Sequence, residues 1–121
     1  MIFERVVKLE STNSILGLVN VLFSVICIFF NLPLLRGTVK RNNTFGYNFK
    51  NARKSDENWK KVNMFGSKTF TIWGICLFML GFVAFIIPMD KNSQLLWPFA
   101  MAPFTILIPL IITYVYSFRL K

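Results

Sequence analysis

Chemistry on a protein chain needs groups that move protons, attack carbon or hold metals, and this sequence carries few. Its 121 residues include no histidine, two cysteines (Cys27 and Cys76) and five carboxylates. His-based triads, His metal ligands and imidazole pH switches are excluded, and two thiols cannot complete a four-ligand zinc site. The one acidic pair, Asp56 and Glu57, is adjacent in sequence. Neighbours on a helix project about 100° apart, so these two do not face each other as acid and base. No nucleophile with its own base accompanies them. The chain reads as a non-enzyme that needs no cofactor and no metal.

The remaining polar side chains that could bind something lie inside apolar runs. Gly17, Asn20, Ser24, Cys27 and Asn31 recur at steps of three and four, which puts them on one helix face. Asn20, Ser24 and Asn31 form its polar part. One reading is a helix–helix contact, with small residues permitting close approach and asparagine joining the helices. The other is a wall facing a ligand or a pore. Ser67, Thr71, Gly74 and Gly81 have the same spacing in a second apolar run and suggest a packing groove. Cys27 and Cys76 fall at similar depth and read as small apolar packing residues, not as a disulfide beside a reducing compartment.

These residues need elements to hold them. The chain is 55% hydrophobic and 17% aromatic, only 16% charged, with a mean hydropathy of +0.54 and a net charge of +9. Soluble domains are roughly 45–50% apolar and about 25% charged. The numbers predict a small basic membrane protein with all-α architecture, one domain over residues 1–121. Three uncharged stretches, Ile15–Leu35, Thr69–Pro88 and Leu95–Ser117, each reach the roughly 20 helical residues that a bilayer core of about 30 Å requires. The first is too long for a signal-peptide core, and Arg36 with a basic loop follows it as a stop-transfer pattern. Pro103 and Pro109 should kink the third span. No Lys, Arg, Asp or Glu lies within a span, which argues against a pump or a proton-coupled transporter.

Orientation follows from the basic residues. The loop 36–68 and the C-terminal tail together hold eleven Lys and Arg, against three in the N-terminal tail and second loop. The positive-inside rule predicts an outside N-terminus, with loop 36–68 and the C-terminus in the cytoplasm, the protein being multi-pass in the plasma membrane. Trp73, Trp97, Tyr114 and Tyr116 are expected as interface anchors, and the short loop Met89–Gln94 makes spans two and three antiparallel neighbours. Because the positive charge is explained by topology, nucleic-acid binding is not expected. The bilayer, with anionic lipid at the basic loop, is.

The loop itself has two parts. Asn42 and Asn43, through Phe45, Gly46 and Tyr47, have turn chemistry. Ser55 then caps a helix whose first turn holds Asp56 and Glu57, with i,i+4 pairs Asp56–Lys60 and Glu57–Lys61. Trp59, Val62 and Gly66 share a face, so a short helix over residues 55–66 is expected to lie in the headgroup layer and run into span two.

The run NNTFGYNFKNARKSDENWKKVNMFGSK resembles the SdpI family (SdpI/YfhL-like membrane proteins), named for a protein giving immunity to a sporulation-delaying toxin. Members show a Gly-Tyr-Arg-Thr turn, then Ser or Thr, an acidic pair, Trp, Asn and Gly before a span. Gly46, Tyr47, Asp56, Glu57, Trp59, Asn63 and Gly66 match without gaps, and Asn43 fits the usual Asn before the turn. Asn48, Phe49 and Ala52 stand where members carry Arg, Thr and Ser. The three spans look like the C-terminal half of six-span full-length members. The resemblance implies a bacterial immunity protein, giving resistance to a membrane-active peptide toxin, with a cytoplasmic repressor protein as a further partner. The motif residues are then the candidate partner-binding set. The alternative is a small channel, or an accessory transporter subunit, built by homo-oligomerisation around the Asn20–Asn31 stripe.

Overall fold

The computed structural model describes residues 13–87, 94 and 96–120. The loop Met89–Gln94 lies outside them except for Gln94, as do Pro88, Leu95, the N-terminal tail and Lys121. Four α-helices account for most of the described chain: α1 (Asn13–Arg36), α2 (Asp56–Ile86), α3 (Leu96–Met101) and α4 (Leu107–Ser117). Three helical stretches are long and apolar enough to cross a membrane, Asn13–Arg36, Asp56–Ile86 and Leu96–Ser117, as the sequence predicts. Only 28% of each apolar window is buried within the molecule. Large side chains such as Phe29, Met79, Ile86 and Trp97 point outward, each more than 60% exposed. Such faces need a lipid solvent.

Helix α1 ends where the sequence says it should. Gly37 takes φ +72°, its N–H donates to the Leu34 carbonyl at 3.2 Å, and the Thr38 N–H donates to the Pro33 carbonyl at 3.3 Å. This is the left-handed glycine termination that satisfies the last carbonyls of a helix. Arg36 sits in the last turn, where the helix dipole favours a cation.

α1 and α2 pack antiparallel along a seam with one period. The buried residues of α1 are Asn13, Gly17, Asn20, Ser24, Cys27, Asn31 and Leu34; those of α2 from residue 63 on are Asn63, Gly66, Ser67, Phe70, Gly74, Leu77, Gly81 and Ala84. Leaving Gly66 aside, both series step by four and three. A 3.5-residue repeat is the pattern of left-handed helix packing near +20°. Small residues let the backbones close: a Cβ on Gly17 would stand 2.9 Å from the Gly81 carbonyl oxygen, and the reverse distance is also 2.9 Å. A Cβ on Gly74 would meet Ile28 at 2.8 Å. With lipid outside, such contact is what holds spans together.

Two expectations need correction. The short helix over residues 55–66 runs into span two as expected, but it is not a distinct element in the first loop; it is the first part of α2, 31 residues without a break. At about 1.5 Å per residue α2 spans roughly 46 Å, more than the bilayer core of about 30 Å. Its apolar face is not turned to lipid either, because Trp59 and Val62 are 2% and 0% exposed beneath the loop. The third span is not one kinked helix. A 3-10 turn, Ala102–Ile106, separates α3 from α4. Pro103 lies in that turn, whereas Pro109 falls in the first turn of α4, where a missing N–H costs little.

Candidate functional site

The loop between α1 and α2 is a strap laid over the ends of the helices. Asn42 starts it by accepting the N–H groups of Thr44 at 3.0 Å and Phe45 at 2.6 Å, and by donating to the Lys40 carbonyl at 2.8 Å. This Asx turn replaces the backbone partners the segment lacks. Gly46 then takes φ +104°, and a Cβ there would stand 2.4 Å from Asn63 Oδ1. Glycine is required at this point both by conformation and by space.

Tyr47 is the centre. Its N–H donates to Asn63 Oδ1 at 2.6 Å, and Asn63 Nδ2 donates back to its carbonyl at 3.4 Å and to the Trp59 carbonyl at 2.8 Å. Its ring stacks on Phe70 with centroids 5.2 Å apart. It occupies the space left by Gly66, where a Cβ would come within 2.6 Å of it. Its hydroxyl donates to Asn31 Oδ1, while Asn31 Nδ2 donates to the Cys27 carbonyl at 2.7 Å. Burial pushes the Tyr47 phenol above its ordinary pKa, so the hydroxyl is a neutral donor. Trp59 Nε1–H donates to Asn48 Oδ1 at 2.9 Å. Asn48 therefore stands as an acceptor where the family pattern has an arginine, which has only donors to offer.

The strap also reaches the third span. Asn51 Nδ2 donates to the Ser117 carbonyl at 3.0 Å, and Asn58 Nδ2 donates to the Asn51 carbonyl at 3.1 Å. Phe49 meets Tyr114 edge-on at 5.2 Å. Ser55 Oγ caps α2 by accepting the Asn58 N–H at 3.0 Å, as its position predicts. Glu57 pairs with Lys61 at 2.9 Å, and that cation holds the exposed carboxyl below its usual pKa. Asp56 pairs not with Lys60 but with Arg41, at 2.8 Å, because the strap brings the guanidinium across the start of α2.

Of the motif residues, Tyr47, Trp59, Asn63 and Gly66 form one buried or half-covered cluster, with the exposed Gly46 packed over Asn63 at its edge. Asp56 and Glu57 remain on the surface, and Asn43 is exposed. The working asparagine of the turn is Asn42. Sequence reasoning placed Asn42 in the turn but not its hydrogen bonds, and missed Asn51 and Asn58 as structural donors and acceptors. The signal was available: six asparagines fall within residues 42–63, four of them before α2 begins.

The stripe on α1 resolves as helix contact. Asn20 is fully buried and donates to the Phe99 carbonyl at 3.0 Å. That carbonyl is four residues before Pro103, which has no N–H to give it, so Asn20 replaces the bond that proline removes. Asn13 donates to the Ala84 and Ile87 carbonyls at 3.3 and 3.2 Å, at the end of α2. Ser24 Oγ donates to the Val21 carbonyl at 2.6 Å beside Gly74. Cys27 is buried and Cys76 exposed, both as free thiols. Trp73, expected as an interface anchor, donates to Thr105 Oγ1 at 2.9 Å and ties α2 to the 3-10 turn.

Comparison with known proteins adds one match. The family model described as the SdpI/YfhL protein family covers residues 38–117, more than half of the chain and the whole of the strap with the two spans behind it. No curated protein and no solved structure matches.

Proposed function

The chain belongs to the SdpI/YfhL family, and we propose that it acts in the bacterial plasma membrane as an immunity protein against a membrane-active peptide toxin. The strap faces the cytoplasm in this reading, with the N-terminus outside. One observation carries it. Residues 15–35, 69–87 and 96–117 carry no ionised side chain, and every described Lys, Arg, Asp and Glu lies outside these stretches, toward the strap end of the helices. A molecule built this way has no charge relay with which to drive transport, so it protects by binding: the toxin itself, the toxin's target, or a cytoplasmic repressor held at the membrane. The channel alternative is less favoured, since Asn20, Ser24 and Asn31 are buried between the helices of one chain.

The buried motif residues hold the strap in place, and the exposed Asp56 and Glu57 are already ion-paired, which leaves the tip of the turn, Asn43 and Thr44, as the surface offered to a partner. The test compares survival of cells with and without the protein against a panel of membrane-permeabilising peptides. Asn43→Ala with Thr44→Ala should lower survival while the amount of protein in the membrane stays unchanged. Equal survival with and without the wild-type protein across the panel would remove the immunity reading.

A further inference from the structure

We propose that the junction between the strap and the end of α4 is a binding site for an anionic phospholipid of the adjoining leaflet. The bond from Asn51 to the Ser117 carbonyl, 3.0 Å long, fixes where the strap crosses α4. Lys50 precedes that bond, the 3-10 turn Ala52–Lys54 puts Arg53 and Lys54 just after it, and Arg119 follows Ser117. All four are exposed. Asp56 and Glu57 are the only carboxylates among the described residues, and each already has a cation, Arg41 at 2.8 Å and Lys61 at 2.9 Å. Among the described residues, the corner therefore carries positive charge with no unpaired carboxylate to neutralise it.

A second feature selects lipid over an acidic protein. Phe49, Tyr114 and Phe118 form a ladder at the same junction, with ring centroids 5.2 and 4.7 Å apart. Tyr114 and Phe118 are 46% and 61% exposed. Rings of this kind sit at the boundary between headgroups and acyl chains. A cationic corner beside an exposed aromatic step matches a lipid phosphate with its chain running down α4. An acidic soluble protein would match the charge and leave the rings without a partner.

The test uses the full-length chain in phosphatidylcholine vesicles, with spin-labelled phosphatidylglycerol or spin-labelled phosphatidylcholine as the probe. The fraction of probe immobilised by the protein is compared between the two lipids. The wild type should prefer the anionic probe about fivefold, the factor that roughly one basic residue at the headgroup layer supplies. Lys50→Gln, Arg53→Gln, Lys54→Gln and Arg119→Gln together should bring the preference to unity. Lys60→Gln and Lys68→Gln together, which leave both ion pairs intact, should leave it in place. Equal loss in both sets means diffuse attraction and overturns the site. So does a wild type without preference, or one that binds soluble polyglutamate at this corner instead. Circular dichroism checks that each variant keeps its helix content; the substitutions are all on the surface. The outcome is independent of whether the protein protects against any toxin.

Discussion

An asparagine side chain carries the same donor and acceptor as a peptide unit, and this molecule uses it where backbone pairing is absent. Asn63 meets both the N–H and the carbonyl of Tyr47, as a neighbouring strand would. Asn42 and Asn20 each take over a partner that the irregular chain leaves unmet, and Asn51 adds a second donor to the Ser117 carbonyl, which also accepts the Leu120 N–H. Buried polar backbone left without a partner costs about 1–3 kcal/mol, more in lipid than beside water. The two left-handed glycines separate conformation from space. Gly46→Ala places a Cβ 2.4 Å from Asn63 Oδ1, whereas Gly37→Ala meets nothing within 4 Å. Gly37→Ala should cost about 1 kcal/mol, the strain of a left-handed alanine. Gly46→Ala should cost several times that, because Asn63 must also release Tyr47. Thermal unfolding in detergent micelles measures both, and equal costs would mean that Asn63 yields freely.

Tyr47 tests the same cluster from the other side. Tyr47→Phe keeps the stack on Phe70 and the fit over Gly66 but removes the hydroxyl that reaches Asn31. It should cost about 1–3 kcal/mol through the unmet Asn31 oxygen, against about 3–5 kcal/mol for Tyr47→Ala. The same unfolding measurement applies, and no difference between the two would mean that the ring contributes nothing beyond its hydroxyl. These residues were legible as a motif, since Gly46, Tyr47, Trp59, Asn63 and Gly66 stand together in the sequence pattern. Their role was not. Trp59 and Val62 share a face on a helical wheel, but a wheel does not say what covers that face, and the strap covers it here instead of lipid. That is a non-local fact, set by Asn31 and Ser117 on other helices.

At the scale of elements, α3 exists as a short piece because Pro103 stops it, and Asn20 makes the break tolerable. The coupling between them is testable as a double-mutant cycle. Asn20→Leu leaves the Phe99 carbonyl without a donor, while Pro103→Ala restores an N–H that can reach it. The loss caused by Asn20→Leu should therefore shrink by about 1 kcal/mol when Pro103→Ala is present. Additive effects would mean that the Asn20 contact is incidental. The proline positions foretold a disturbed third span but not a 3-10 turn, since proline removes a donor without saying how the chain rearranges. The α1 stripe was legible for the opposite reason: its three- and four-residue steps encode a face directly. Only the partner helix was missing from it, and that followed from Gly74 and Gly81 sharing the period. Gly81→Leu should therefore separate α1 from α2 and cost more than an outward Met79→Ala, read as loss of folded protein in membranes.

For the molecule as a whole, the distribution of charge decides how it sits in the bilayer. The described basic residues all lie at the strap end of the bundle, held there by the end of α1, the start of α2 and the end of α4. Moving this end across the membrane would carry ten Lys and Arg with it, counting Arg36 through Arg119, at about 2.5–3.5 kcal/mol for each such residue that has to pass the centre of a helix. The strap cannot cross piecemeal, because Asn31, Asn63 and Ser117 bind it to all three spanning stretches. Both ends of the match, the strap and the tail after α4, should therefore lie on one side, and the positive-inside rule predicts that this side is the cytoplasm. Reporter fusions placed after Lys121 and inside residues 50–54 test this. Both should be active with a cytoplasmic reporter and silent with one that works only outside. A split result would contradict the three-span bundle itself, since the Asn51 bond to Ser117 requires the strap and the end of α4 to share a face. A concordant outside result would leave the bundle intact and reverse only its orientation, placing the basic corner at the outer leaflet, where a peptide toxin first arrives.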